Sequence, residues 1–149
     1  MNACRTEKGY RHWGHDIGVE DTPFEAGLGF AVAYDKPGGF IGRDVLLQQR
    51  DAGIRAKRLV QIKLASDDHL LYHEEPIYRD GQLIGSVTSG MYGHRVGGSL
   101  GMGYLHHADG VTKDFIQSGR FEVEVAWEKV PATVQLAPFY DPKMLRIKA

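Results

Sequence analysis

Near the start of the chain His12, His15 and Asp16 stand in an H-x-x-H-D arrangement. Two imidazoles and a carboxylate are zinc-ligand types. The run has no third spaced His or Cys and no helical frame, so it reads as a polar, aromatic-rich loop that packs against a neighbour. His106 and His107 are adjacent; on a strand they point to opposite faces and cannot share a metal. The run Gly97-Gly-Ser-Leu-Gly-Met-Gly103 lacks the Lys-Ser/Thr pair of a phosphate loop, and no helix follows it. Its glycines suit tight bends or close strand approach. Ser89, His94 and Asp109 are triad types with no spacing that singles them out. Cys4, the only cysteine, sits beside Arg5 but reads as an inert thiol. Arg5, ahead of Glu7, Lys8 and Gly9, carries a fork that can clamp a carboxylate, although spacing alone makes it a surface arginine. No metal site and no catalytic residue is expected within the chain.

The elements that must position these residues change character near Arg55. Before it, Arg5 to Asp16 has no clear periodicity, and Asp21-Thr22-Pro23 is a turn or capping signal. Leu28 to Tyr34 is expected to be a buried strand, ended by Pro37-Gly38-Gly39. Phe40 to Ala52 is expected to be the one helix, with Gly53 in the left-handed cap. From Arg58 the period becomes two: Val60, Ile62 and Leu64 alternate with Gln61 and Lys63, which puts one face in a core and the other in water. Asp80-Gly81 joins Glu75–Arg79 to Gln82–Val87 as a hairpin. Leu100 to Leu105 is a further short strand. Phe121, Val123, Val125 and Trp127 alternate, as do Val130, Ala132, Val134 and Leu136, with a turn near Glu128-Lys129. The expected fold is mainly β (α+β), a small antiparallel β-barrel of about six strands after a largely irregular N-terminal part. Few inward positions of such a barrel are polar, so function belongs on its rim or against a neighbouring domain.

Composition narrows the partners. Eighteen Lys and Arg oppose nineteen Asp and Glu, so no basic surplus calls for nucleic acid. No apolar run approaches the roughly 20 residues of a membrane span, and the opening residues lack a signal-peptide core. With one cysteine there is no internal disulfide, which fits the cytosol, or the mitochondrial matrix in a eukaryote.

The segment Arg5-Thr-Glu-Lys-Gly-Tyr-Arg-His-Trp-Gly-His-Asp16 resembles the E-K-G-Y/F-R-x-W-G-x-D/E stretch of sarcosine and dimethylglycine dehydrogenases. Thr22-Pro-Phe-Glu-Ala-Gly-Leu28, Phe40-Ile-Gly-Arg43, Arg58-Leu-Val60, Glu75-Pro-Ile, Asp80-Gly81, Ile84-Gly85, Thr88-Ser-Gly90 and Gly101-Met-Gly-Tyr104 follow in that family's order. The closing Pro138-Phe-Tyr-Asp-Pro142 is similar to sarcosine dehydrogenase endings, so the resemblance covers nearly the whole chain. More loosely, Arg5-Thr-Glu-Lys-Gly9 stands where the glycine-cleavage T protein, an aminomethyltransferase, has Arg-Leu-Glu-x-Gly.

The resemblance implies that residues 1–54 are the tail of an aminomethyltransferase-like folate-binding domain and residues 55–149 its C-terminal barrel. It implies tetrahydrofolate as cofactor, FAD in a longer parent enzyme, and that enzyme's upstream flavin and folate domains as partners. That enzyme oxidises an N-methyl amine such as sarcosine or dimethylglycine and passes a one-carbon unit to tetrahydrofolate; the fragment alone is expected to be inactive. Arg5 inherits a folate-holding role by position. A C-terminal tyrosine at the T protein's substrate site is matched here by Met144, with Tyr140 four residues earlier as the nearest candidate. Alternative readings are a glycine-cleavage-type aminomethyltransferase, a folate-dependent demethylase of a sulfur compound, and a non-catalytic β-barrel that binds or assembles.

Overall fold

The computed structural model describes residues 1–146 and 148. The alternating segments form six strands: β1 Lys57–Leu64, β2 Pro76–Arg79, β3 Gln82–Gly93, β4 Gly98–His106, β5 Phe121–Val125 and β6 Glu128–Gln135. All pair antiparallel in the order β1-β4-β3-β2-β5-β6, and β6 returns to β1 through Gln61↔Gln135 to Leu64↔Ala132, so the barrel closes. Closure leaves no strand edge exposed. Period two sends Val60, Ile62, Leu64, Ile77, Val87, Leu105, Val123 and Val130 into one interior cluster. Asp80 and Gly81, at φ 50° and 83°, make the two-residue turn expected between β2 and β3.

Glycine permits two close approaches. A Cβ on Gly103 would stand 2.4 Å from the Ser86 carbonyl oxygen, and one on Gly90 only 2.1 Å from the Leu71 carbonyl carbon. Gly103, in the run expected to allow close strand approach, is therefore a steric requirement, and Gly90, outside that run, lets the loop after β1 cross β3.

The N-terminal part differs from the sequence reading. Asn2–Lys8 forms a helix, α1, which ends where Gly9 takes φ 70° and the Tyr10 N–H donates to the Arg5 carbonyl at 2.8 Å. Leu28–Tyr34 is no strand: it holds one 3-10 turn at Gly29–Ala31, with Phe30 82% exposed. An apolar run becomes a strand only where a partner accepts its backbone hydrogen bonds, and every barrel strand is already paired. The expected helix starts at Arg43 rather than Phe40, because Gly42 at φ 87° breaks the turn; α2 spans Arg43–Ala52 and has Gly53 at φ 72° after it. A third helix, α3 Lys113–Ser118, is capped by the Thr112 hydroxyl, which accepts from the Phe115 N–H at 3.0 Å. Among the described residues the expected single α-helix is thus joined by two others. The β5–β6 turn falls on Ala126 and Trp127, both at positive φ, two residues before the expected Glu128-Lys129.

The outer face of β1 and β4 is not in water. Residues 1–26 lie across it and bury Leu59, Gln61, Met102 and Tyr104, so every residue of β4 except His106 is buried. Among the described residues no helix is long and apolar enough to cross a membrane.

Candidate functional site

The contact between the N-terminal segment and the barrel is polar and closed. Asp16 is fully buried; one carboxylate oxygen accepts from Arg5 Nη1 and the His12 N–H, each at 2.8 Å, and the other from the Thr88 hydroxyl at 2.6 Å. Arg5 further donates from Nη2 to Ser89 Oγ at 3.0 Å, from Nη1 to the Tyr10 carbonyl at 3.2 Å and from Nε to Asn2 Oδ1 at 3.3 Å. Four of its five N–H groups are engaged, which ties α1 and the loop after it to β3.

The next two charged residues of α1, Glu7 and Lys8, hold two other segments. Glu7, 3% exposed, accepts the Arg95 N–H at 2.6 Å and the Val96 N–H at 3.2 Å, which fixes the β3–β4 turn. Gly93 lets it come close, since a Cβ there would crowd the Glu7 side chain. Lys8 reaches the C-terminal tail, donating to the Asp141 carbonyl and, at 3.2 Å, to its carboxylate. The tail is further pinned by the Tyr140 N–H on the Glu7 carbonyl at 3.2 Å and the Phe139 N–H on Gln61 Oε1 at 2.8 Å. Gln61 Nε2 donates in turn to the Thr6 carbonyl. Burial alone would raise the Asp141 carboxyl, but Lys8 and the Leu145 and Arg146 amides outweigh it and hold it below its ordinary value.

These elements enclose a cleft of about 370 Å³ walled by Cys4, Arg5, Lys8, Tyr10, Arg95 and Tyr140, with Arg146 at its side. Arg95 donates to Tyr140 Oη at 3.2 Å, and the guanidinium carbons of Arg95 and Arg146 lie 5.1 and 5.8 Å from the Tyr140 ring centre. A second groove of about 500 Å³ shares Lys8 and Tyr10 and is otherwise mainly apolar, with Leu28, Phe30, Pro138 and Met144 among its walls. Its other charged member, Arg11, donates only to the carbonyls of Gly9, Ala26 and Gly27, and burial lowers its pKa. Beyond it, Lys57 bonds Asp21 at 2.6 Å and sits 4.4 Å from the Tyr104 ring centre. Burial first, then the Asp21 carboxylate, push the Tyr104 phenol far above its ordinary range.

The structure therefore brings Arg5 and Tyr140, the two residues singled out in the sequence, to one cleft, while Met144 lines the other groove. His12 and His15 stack with ring centres 4.5 Å apart, and Asp16 is committed to Arg5 and Thr88 rather than to them. Among the described residues no group of three His, Cys, Asp or Glu side chains is placed to hold a metal. Ser89 is bonded to Arg5, and Cys4 is exposed. The sequence reading missed Lys8, Arg11, Arg95 and Arg146. The Glu7-Lys8-Gly9 run, a charged pair directly before a helix-ending glycine, was the available signal for Lys8; Arg95 and Arg146 carry none.

Comparison with known proteins bears on this arrangement. The family model for the glycine cleavage T-protein C-terminal barrel domain matches residues 57–141, and that for the GCVT N-terminal domain matches residues 1–36. The chain is 42% identical over 148 residues to 4-methylaminobutanoate oxidase (formaldehyde-forming) of Paenarthrobacter nicotinovorans, covering 99% of this chain and 17% of that protein. It is 38% identical to human mitochondrial sarcosine dehydrogenase, covering 99% and 16%. It is 35% identical to an aminomethyltransferase of Prochlorococcus marinus, covering 93% and 35%. The solved structure of the glycine cleavage system aminomethyltransferase T from Bartonella henselae superposes with a TM-score of 0.77 at 26% identity, over 95% of this chain and 38% of that one.

Proposed function

The chain belongs to the glycine cleavage T-protein family, with N-methyl amine oxidoreductases among its relatives, and from that premise we propose that it is the folate-facing end of a flavin-linked N-methyl amine dehydrogenase. It spans about one sixth of the length of the oxidoreductases it matches, so the activity is that of a longer protein. Sarcosine, dimethylglycine and 4-methylaminobutanoate, named in those relatives, are all N-methyl amino acids, and this is the substrate class assigned. Flavin supplies the oxidation of the amine to an iminium. Among the described residues the barrel strands pair antiparallel, unlike the parallel sheet of a dinucleotide-binding fold, and FAD is assigned to the upstream part of the parent protein.

Tetrahydrofolate suits the residues present. Its glutamyl end is anionic, and the cleft is walled by Arg5, Lys8 and Arg95, with the aromatic ring of Tyr140 against Arg95. Pairing Arg5 and Tyr140 on one cleft is the observation that carries this reading. Residues 1–54 are read as the end of the folate-binding domain and 55–149 as its barrel. Val19, Phe30, Ile41 and Ile54, exposed by two thirds or more, are assigned to contact with upstream parts of the parent chain. This chain's own residues bind and orient the cofactor; none is assigned a catalytic step. Where the parent is eukaryotic, the mitochondrial matrix is the proposed compartment, as in the relatives named mitochondrial.

The test is dye reduction by the longer protein with sarcosine, dimethylglycine and 4-methylaminobutanoate, with formaldehyde release measured with and without tetrahydrofolate. Reduction by one of these amines, with less formaldehyde when tetrahydrofolate is present, is expected. A longer protein that holds no flavin and reduces no dye, yet transfers an aminomethyl carbon, would replace this reading by the aminomethyltransferase one, which the 35% identity to that enzyme supports.

A further inference from the structure

Four cations and one carboxylate, the amide-bound Glu7, wall the 370 Å³ cleft, and the cations are not equivalent. Arg5 is paired with Asp16 at 2.8 Å and Lys8 with Asp141 at 3.2 Å, both with little exposure. Arg95 and Arg146 have no carboxylate within ion-pair distance among the described residues, and both guanidinium groups lie against the Tyr140 ring. The backbone that carries Arg95 is fixed by the buried Glu7 carboxylate, which accepts its N–H at 2.6 Å. The guanidinium is itself oriented by the hydrogen bond to Tyr140 Oη at 3.2 Å. A buried carboxylate that sets the turn, and a ring that sets the fork, present a charge with no internal partner to an open cleft. That is a preorganised anion contact.

We propose that Arg95, assisted by Arg146 beside the same ring, is the carboxylate-reading residue of the cleft, and that it takes the glutamyl end of a ligand whose neighbouring planar group packs near Tyr140. The proposal rests on the reading of the cleft as part of a folate site, and it gives Arg95 the ligand-facing charge while Arg5 holds the wall together. Arg95 is exposed and its turn is fixed through a backbone N–H, so Arg95→Ala leaves that bond in place.

The experiment is an NMR titration of the isotope-labelled full chain with p-aminobenzoyl-L-glutamate, with p-aminobenzamide as the carboxylate-free control. Saturable shifts at the Arg95 and Tyr140 side chains, weakened by salt and about tenfold weaker in Arg95→Ala, are expected. Arg95→Lys, which keeps the charge without the fork, falls between the two. No shift, equal shifts with the amide, or unchanged affinity in Arg95→Ala would overturn the proposal. Folinic acid separates it from the parent reading. Binding that is equal in wild type and Arg95→Ala sinks the role of Arg95 and leaves the folate site standing. If instead the glutamate probe binds through Arg95, and folinic acid binds no tighter than the probe to the longer protein, the folate reading fails and the carboxylate site remains.

Discussion

Arg5 and Asp16 form the contact on which the candidate site leans, because a carboxylate with no solvent exposure must have its charge answered by partners. Removing one member leaves the other buried without its counter-charge. Arg5→Ala is expected to cost about 3 kcal/mol in urea denaturation. The Arg5→Ala, Asp16→Asn double variant should cost clearly less than the sum of the singles; additive losses would show that the pair is not coupled. Gln61 is a neutral counterpart. It bridges the Thr6 carbonyl and the Phe139 N–H from within β1; the Thr6 carbonyl keeps the Gly9 N–H, so Gln61→Leu leaves the half-buried Phe139 N–H without its partner and is expected to cost about 1 kcal/mol, read the same way.

Elements inherit strain where the sequence lacks the residue a turn requires. The β5–β6 turn places Ala126 at φ 51° and Trp127 at φ 70°, left-handed positions that Asn and Gly occupy at lower cost. Trp127 is 93% exposed and gives up little packing. Ala126→Asn with Trp127→Gly is therefore expected to stabilise the barrel by about 1 kcal/mol, seen as a higher urea midpoint; a lower midpoint would give Trp127 a contact the turn geometry does not reveal. Helix α2 makes the opposite case. It buries no residue fully, and ten residues with only half-buried contacts are marginal as a helix. Its amides should exchange with solvent orders of magnitude faster than those of β4, and slow exchange there would mean that something covers the helix.

At the scale of the whole molecule, three segments distant in sequence meet: α1, the β3–β4 turn and the tail. The Lys8–Asp141 pair holds the last of them, and the tail lines both the cleft and the groove. The Asp141 carboxyl lies below its ordinary 3.8 in the folded chain, so its contribution is complete above that value and disappears as pH falls through the lower folded one. Tail signals in NMR, Tyr140 foremost, should stay native at pH 5 and shift below about pH 4. In Asp141→Asn they are expected to be displaced already at neutral pH, with no acid step; an unchanged acid step would assign the titration to another group.

The barrel was legible because its physics is local. Alternation of apolar residues in Val60–Leu64, Phe121–Val125 and Val130–Val134, with Asp80-Gly81 between two such runs, forces strands and a hairpin whatever surrounds them. The N-terminal part was less so. Leu28–Tyr34 is apolar enough for a strand, but a strand also needs a partner, and only the closed set of six could show that none was left. The same holds for the site. Arg5 and Tyr140 stood out through the motifs around them, whereas Asp16, Lys8 and Arg95 gain their meaning from contacts across 11, 133 and 45 residues of chain. Residue type and short-range period determined the barrel; which charges neutralise one another, and which are left facing a cleft, was decided by the distances that tertiary packing sets.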